Sequence, residues 1–433
     1  MSRWPEKKLK FVAGAPIING VGEAAEFDDP SWPRYIRITD IDTPRSLRVD
    51  TFKSLPPQLA RHADVQRGDL LLAAVGATFG KGYLHTNDSR ACYAGYLVRV
   101  RPGSEMDPGF LSFWSESQHY WDQTRSRVVQ ATIQNFSAGK YRQLTVPCPP
   151  LSTQQALAAF LDRKTAAIDE LIKKKERLIN LLQEKRQALI TQAVTKGLDP
   201  NVPMKESGFP LIPTLPKHWF LWTVRNLIRT GNLTLQDGNH GELHPVAAEY
   251  VDSGIPFLMA NNIRNGRVDL SDCKFLPQAR TDALRIGFAN AGDVLLTHKG
   301  TVGEVAVLPD ELTVPYVMLT PQVTYYRPAG QAIRRHFVAL AMQARPFREE
   351  LAWLAGQQST RDYVGITAQR QLHLPLPPAQ EQEAIASSLR PALMKLDQAG
   401  EGVGQQLRLL LEYRQALIAA AVTGQIDVSK EAA

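Results

Sequence analysis

The sequence predicts an α+β protein in which one plan is used twice. A β-rich α+β domain leads into a long helix, a second such domain leads into a second such helix, and the two helices pair antiparallel as a coiled coil. Three observations predict this. The helix ending RQALITQAVTKGLD (186–199) returns as RQALIAAAVTGQID (414–427). The first part of each half consists of short apolar or alternating runs bounded by Gly, Pro, Asn and Asp, the pattern of strands and turns. The stretch before each repeated ending carries apolar residues at heptad spacing.

The repeat organises the chain. At the offset of 228 residues that takes Arg186 to Arg414, RQLTVPCPPLSTQQALAAFL (142–161) falls on RQLHLPLPPAQEQEAIASSL (370–389) without a gap. Pro149, Pro150, Gln154 and Leu161 thereby match Pro377, Pro378, Gln382 and Leu389. Earlier segments match loosely, with small shifts. GDLLLAAVGATFG (68–80) resembles GDVLLTHKGTVG (292–303), RYIRITDI (34–41) resembles PFLMANNI (256–263), and the stretch from Trp4 is weakly like that from Trp222. Each copy is thus a divergent first part and a similar tail.

In the first half, RYIRITDI, DLLLAAV and GYLVRVRP read as strands and PGFLSFWSESQHYWDQT as helix. The Pro149–Pro150 pair closes the domain, because proline favours extended backbone before it and a helix start after it. From about Ser152 to Lys196, Leu161, Ile168, Leu182 and Leu189 lie on one line and Leu157, Leu171 and Leu178 on the adjoining one. Ser152 and Thr153 offer N-caps and Gly197 a C′ residue. Such a helix of roughly 45 residues is about 65 Å long.

The second half repeats the order with DVLLTHKG, EVAVLP and QVTYYRP as strands and IRRHFVALAMQARPFREELAWLA as helix. Its tail keeps the apolar lines at Ile385, Leu389, Leu396, Val403, Leu410 and Leu417. Pro391 and the glycines Gly400, Gly402 and Gly404 interrupt that helix, each glycine costing roughly 1 kcal/mol against alanine, so a kink or break is expected there. A helix of this length with an apolar seam needs a partner in water. The other tail is the expected partner; the alternatives are folding back on its own domain or serving as a dimerisation helix.

The net charge of +7 over 433 residues permits a polyanionic partner without demanding one. Cys92, Cys148 and Cys273 are far apart, with no CxxC and no histidine pair at zinc spacing, so neither a disulfide framework nor a structural metal is indicated. No run of about 18 apolar residues crosses a bilayer. The start MSRWPEKKLKFVAG lacks the apolar core of a signal peptide, and a cytoplasmic location is expected.

Two divergent domains alternate with two similar helical regions. Each helical region opens on a PLPPAQEQEAI-type stretch and closes on RQALI…AVTG, with YIRITDI and GDLLLAAVGATFG in order before it. In all this the chain resembles the specificity (S) subunit of type I restriction–modification enzymes, over essentially its whole length. The resemblance implies a target recognition domain over residues 1–150, a central helical spacer over 151–200, a second target recognition domain over 201–378 and a distal helical spacer over 379–433. It implies that each domain reads one half of a bipartite, asymmetric target on double-stranded DNA. The helices set the unread gap and dock two modification (methyltransferase) subunits, to which restriction (motor-nuclease) subunits are added. The resemblance further implies a non-catalytic chain with no cofactor of its own, S-adenosylmethionine, ATP and Mg²⁺ belonging to the partner subunits.

Candidate DNA contacts are polar and basic side chains in loops leaving the paired strands. They are Arg37, Thr39, Lys81, Tyr83, Arg125 and Arg127 in the first domain and Asn261, Asn262, Arg264, Lys299, Thr301 and Arg361 in the second. Any one of them is equally readable as a solvated surface group or a turn former. The run Lys173–Arg177 reads as the wet face of a helix, and Trp114, Trp121 and Trp353 as core. DPSW (29–32) approaches an adenine-methyltransferase signature, but Ser31 replaces its second proline and no βα alternation surrounds it, so it reads as a turn. GATFGKG (76–82) is one residue short of a phosphate loop, and Gly82 stands where the Mg²⁺-binding hydroxyl belongs. No catalytic and no metal-binding set is expected. The rival readings are a coiled-coil adaptor whose β-rich ends bind proteins, and a divergent fused methyltransferase.

Overall fold

A computed structural model describes residues 2–76, 78–127, 136–241, 244–356 and 363–426. The chain divides into two compact units, Met1–Arg177 with Val403–Ala433 and Leu178–Gly402, and the division falls inside both long helices, Leu151–Lys196 and Ala379–Val422.

In the first unit, strands Ile18–Asn19, Leu97–Val100, Leu70–Ala73 and Gly82–Leu84 form an antiparallel sheet in that order. A smaller sheet orders Arg34–Ile36, Ala91–Tyr93 and Asp64–Val65, its first pair parallel. The apolar run at 70–74 is explained by burial on both faces. Leu70 and Leu72 pack with Phe110, Trp114, Tyr120 and Tyr141, while Leu71 and Ala73 face Ile36, Tyr83 and Tyr93. The same core takes in Leu157, Leu161, Ile168 and Ile172 of the central helix and Leu417, Ile418, Ala421 and Val422 of the distal one.

The second unit repeats the plan with longer strands. Leu233–Asp237, Val323–Pro328, Val294–Lys299 and Thr301–Val307 form the antiparallel sheet, and Lys274–Leu276, Ile255–Leu258, Val317–Leu319 and Phe288–Ala289 the second one. Val294 and Leu296 face one core and Leu295 another. The first of these cores includes Ile190, Ala193 and Val194 from the end of the central helix and Ile385, Ala386, Leu389 and Leu393 from the start of the distal helix. A hairpin peculiar to this half, Met204–Phe209 with Ile212–Pro216, follows the central helix.

Within each unit the two helices run antiparallel. In the first, Asp169 meets Arg414 and Lys175 meets Gln406; in the second, Arg186 meets Asp397. The intramolecular pair is therefore present, and each head also packs on the helix ends beside it. Both arrangements hold, because the apolar stripe is wider than a coiled-coil seam.

Several expectations are corrected. The central helix begins at Leu151, directly after the two prolines, so Ser152 and Thr153 lie in its first turn and do not cap it. Gly197 does take the left-handed backbone of a C′ residue, at φ +79°, and its N–H donates to the Ala193 carbonyl at 3.1 Å. Leu171 and Leu178 are 41% and 39% exposed. The buried line after Leu161 runs through Thr165, Ile168 and Ile172, following the 3.6-residue turn of a straight helix, which drifts off strict heptads. Leu157, Leu161, Ile168, Ile385, Leu389 and Leu417 are buried, while Leu182, Leu189, Leu396, Val403 and Leu410 are half-buried. The distal helix does not break: Ala379–Val422 is one helix with Pro391 inside it. Pro391 is exposed, and the carbonyl it leaves without an i+4 donor belongs to exposed Ser387.

Backbone pairing also corrects the alignment of the two beginnings. Leu9 N–H donates to the Leu144 carbonyl as Val224 does to Leu372, its equivalent at offset 228. Counting back, Trp4 corresponds to Trp219 and not to Trp222.

Candidate nucleic-acid interface

The two heads share a polar framework under their divergent surfaces. Buried Asp69 holds Arg101 through two bonds of 2.8 Å, and buried Asp293 holds Arg327 through two of the same length. These fork-to-carboxylate pairs stand at the start of the central strands and fix their entry. Burial favours the neutral form of Arg101, but its bonds to Asp69 outweigh it and hold the guanidinium well above its usual range. The buried amides Gln154 and Gln382 make the same three bonds. Each accepts from a backbone N–H (Asp107 or Arg334, 2.8 Å) and donates to a proline carbonyl (Pro149 or Pro377, 2.8 Å) and to a loop carbonyl (Glu105 or Ala332, 3.0 Å). They tie the first turn of each long helix to its head.

On this frame each head presents a hairpin tip, at the end carrying Lys81 before strand Gly82–Leu84 and at Lys299–Thr301, and a short β-hairpin, at Ile41–Leu47 and at Ile263–Val268. Lys81, Lys299 and Thr301 are exposed at the tips; Lys299 lies 6.0 Å from the Tyr363 ring. Thr39, Asn261 and Arg264 are exposed near the short hairpins. Arg125 is exposed and lies over Trp121 at 5.5 Å, and Arg127 donates to the Gln123 carbonyl at 2.9 Å. Arg361 lies outside the described residues.

Three candidates do not have the expected surface placement. Tyr83 is 3% exposed and its hydroxyl meets His85 Nδ1 at 3.3 Å. Asn262 is 3% exposed; its Oδ1 accepts from Met259 N–H at 2.9 Å and its amide donates to the Asp272 carbonyl at 2.9 Å. Arg37 is clamped to buried Asp40 by bonds of 3.0 and 2.7 Å and donates to the Thr51 carbonyl at 2.7 Å. Asp40 and Asn262 are equivalents, each accepting from the backbone three residues earlier, so this turn is framework in both heads.

Other sequence readings also resolve. At DPSW, Asp29 Oδ1 accepts from Ser31 N–H at 2.8 Å and Ser31 Oγ at 2.7 Å, a closed Asx turn. In the lysine run, Lys174 pairs with Glu170 at 2.7 Å and Lys175 donates to Gln406 at 2.6 Å. Trp114 is buried and Trp121 half-buried, but Trp353, read as core, is 63% exposed on helix Arg345–Gly356. Among the described residues no group of three or more His, Cys, Asp or Glu is arranged to hold a metal, and no helix is long and apolar enough to cross a membrane.

Sequence reasoning missed His298. It is 1% exposed directly below the Lys299–Thr301 tip, and burial lowers its pKa to about 4. The equivalent position in the first head, set by the Phe136 and Val364 N–H groups donating to Ala74 and His298, is alanine. No sequence signal marks a histidine between Thr297 and Lys299 as buried.

Fold and site together define a class: a duplicated scaffold whose framework contacts repeat while the exposed tips differ. No protein-family model matches the chain. It is similar to the EcoBI specificity subunit of a type I restriction enzyme from Escherichia coli, 20% identical over 318 residues. To the EcoKI specificity subunit of E. coli K12 it is 22% identical over 330 residues. These matches cover 72% and 76% of this chain, but only 65% and 67% of the two relatives. A putative specificity subunit, MjaX of Methanocaldococcus jannaschii, is 21% identical over 402 residues, 89% of this chain and 86% of that protein. The fold matches a solved chain from work on assembly and conformational transition of the type I R-M system, at TM-score 0.67 over 98% of both chains and 15% identity. By sequence and by fold the chain is a relative of the type I restriction-enzyme specificity subunits.

Proposed function

We propose that the chain is the DNA-specificity subunit of a type I restriction–modification complex. Each head reads one half of a bipartite, asymmetric target through its exposed tips, and the helical regions set the unread gap and carry the modification subunits. The observation that carries this reading is the combination of repeated framework and unlike tips. Gln154 and Gln382 make one set of bonds and the two arginine forks another, whereas the exposed tip residues differ, Lys81 in one head and Lys299, Gly300 and Thr301 in the other. Identical readers on a duplicated scaffold would select a palindrome; unlike readers select two different halves.

In this reading the chain performs no chemistry. S-adenosylmethionine, ATP and Mg²⁺ act in the partner subunits, two modification subunits occupy the two equivalent helical surfaces, and the complex works in the cytoplasm. Sequencing methylated adenines in DNA from cells carrying this chain with its modification subunit tests it. The expected motif is two short defined halves separated by one fixed gap. A continuous motif, or a gap of variable length, sinks the proposal; absence of any DNA binding by the loaded complex favours the protein-adaptor reading.

A further inference from the structure

The second unit holds a groove of about 620 Å³ where the Ile263–Val268 hairpin and strand Thr301–Val307 face the helices. Its charges do not cancel. Glu304 accepts from the Asn265 N–H at 3.0 Å, Asp397 pairs with Arg186 at 3.1 Å, and Glu401 pairs with Arg267 at 3.1 Å. Asp397 and Glu401 are paired with cations, while Glu304, held by a backbone N–H, keeps its charge. Arg264 and Arg348 also line the groove, both exposed, and among the described residues neither side chain has a hydrogen-bond or ion-pair partner.

The repeat shows why the groove is open. At offset 228, Leu396 and Gly400 correspond to Ile168 and Ile172. In the first unit Ile172 is 9% exposed and packs in the core. In the second unit the position is Gly400, where an added Cβ would meet nothing within 4 Å. Gly402 is equally unobstructed. Nothing within the second unit requires glycine there, and helix propensity opposes it. The missing side chain leaves room against the helix backbone, in a groove whose four arginines outnumber its three carboxylates.

We propose that this groove holds phosphates of the DNA backbone, with Arg264 and Arg348 neutralising them and Gly400 admitting the strand close to the helix. The assignment rests on the DNA-specificity reading and adds a sequence-independent contact to it. Planar guanidinium forks suit phosphate oxygens, and contacts of this kind position a duplex without reading its bases. In this arrangement the second head binds backbone at a place where the first head has a packed core.

The test uses the complex of the full chain with its modification subunit, comparing wild type, Arg264→Gln/Arg348→Gln and Gly400→Ile. Binding to specific and unrelated duplexes is measured across salt concentrations. The double arginine variant is expected to lower the slope of log affinity against log salt by about two, roughly one per released phosphate contact, with the methylation motif unchanged. Gly400→Ile installs the residue that the first unit already carries; it is expected to raise the melting temperature while weakening binding to every duplex alike. An unchanged slope in the arginine variant overturns the proposal, as does unchanged affinity in Gly400→Ile. A motif altered at one base makes Arg264 or Arg348 a base reader, and loss of the modification subunit makes the groove a protein dock; either overturns it. A wild-type complex that binds no DNA condemns the underlying function reading instead.

Discussion

Arg414 donates to Asp169 at 2.8 Å, and 228 residues earlier Arg186 makes the same reach to Asp397, the equivalent of Asp169, at 3.1 Å. The repeat is thus written in ion pairs as well as in apolar residues. The third member differs. Arg414 also meets Glu116 at 3.0 Å, whereas Arg186 meets the neutral Gln343 at 3.1 Å. The neighbouring Gln415 and Gln187 then donate to the backbone carbonyls of those same two residues.

That difference predicts unequal penalties. Arg414→Ala leaves Asp169 without its cation and the largely buried Glu116 with Arg45 alone, and is expected to cost about 3 kcal/mol. Arg186→Ala leaves an amide and one partly exposed carboxylate, and is expected to cost about 1 kcal/mol. Urea unfolding of the two variants measures both; equal losses would contradict the assignment of the larger cost to Glu116.

A pH dependence follows from the same triad. Burial raises the pKa of Glu116 above its ordinary value, and Arg414 and Arg45 only partly oppose it. A carboxyl whose folded pKa is raised stabilises the fold fully below its unfolded pKa, and that contribution is lost as pH rises through the folded value. Glu116→Gln cannot titrate. Its melting temperature relative to wild type is expected to rise from pH 4.5 upward and to level off once wild-type Glu116 is ionised. A difference independent of pH would show that burial does not govern this carboxyl.

His298 gives the opposite slope in the second unit. Its folded pKa of about 4 lies below the ordinary histidine value of 6.5 because burial disfavours the imidazolium. The unfolded chain therefore takes up the proton first, and stability falls as pH drops from 6.5 towards 4, by something of order 3 kcal/mol. His298→Ala, which copies Ala74 of the first unit, is expected to flatten that acid limb. Amide hydrogen exchange along Val294–Lys299, compared between pH 7 and pH 4.5, reads the effect locally.

What the sequence showed and what it hid divide along physical lines. Local rules sufficed for the duplicated tails, the Pro149–Pro150 boundary and the left-handed Gly197, because each is set by its own few residues. The misplacements came where tertiary context decides. Tyr83, Asn262 and Arg37 look like surface groups in a turn, but buried partners hold them. Trp353 looks like core, yet it sits on the outer side of its helix. Trp4 resembles Trp222 by residue type alone, and only backbone pairing reveals Trp219 as its counterpart. The glycines at 400–404 promised a break, but one helix spans them, so local propensity was outweighed.

The seam itself offers the last prediction, since two adjacent residues have opposite fates. Heptad counting chose Leu171, but the structure buries Ile172, 9% exposed, among Ile168, Leu417 and Ile418, and leaves Leu171 41% exposed. Removing a packed side chain costs its transfer energy and the cavity left behind, whereas trimming a half-exposed one costs little. Ile172→Ala is expected to destabilise the first unit by about 3 kcal/mol and Leu171→Ala by less than about 1 kcal/mol. Equal effects, or the reverse order in a denaturant titration, would place the strict heptad line in the interface and require the central helix to be rotated by nearly a third of a turn, about 100° per residue.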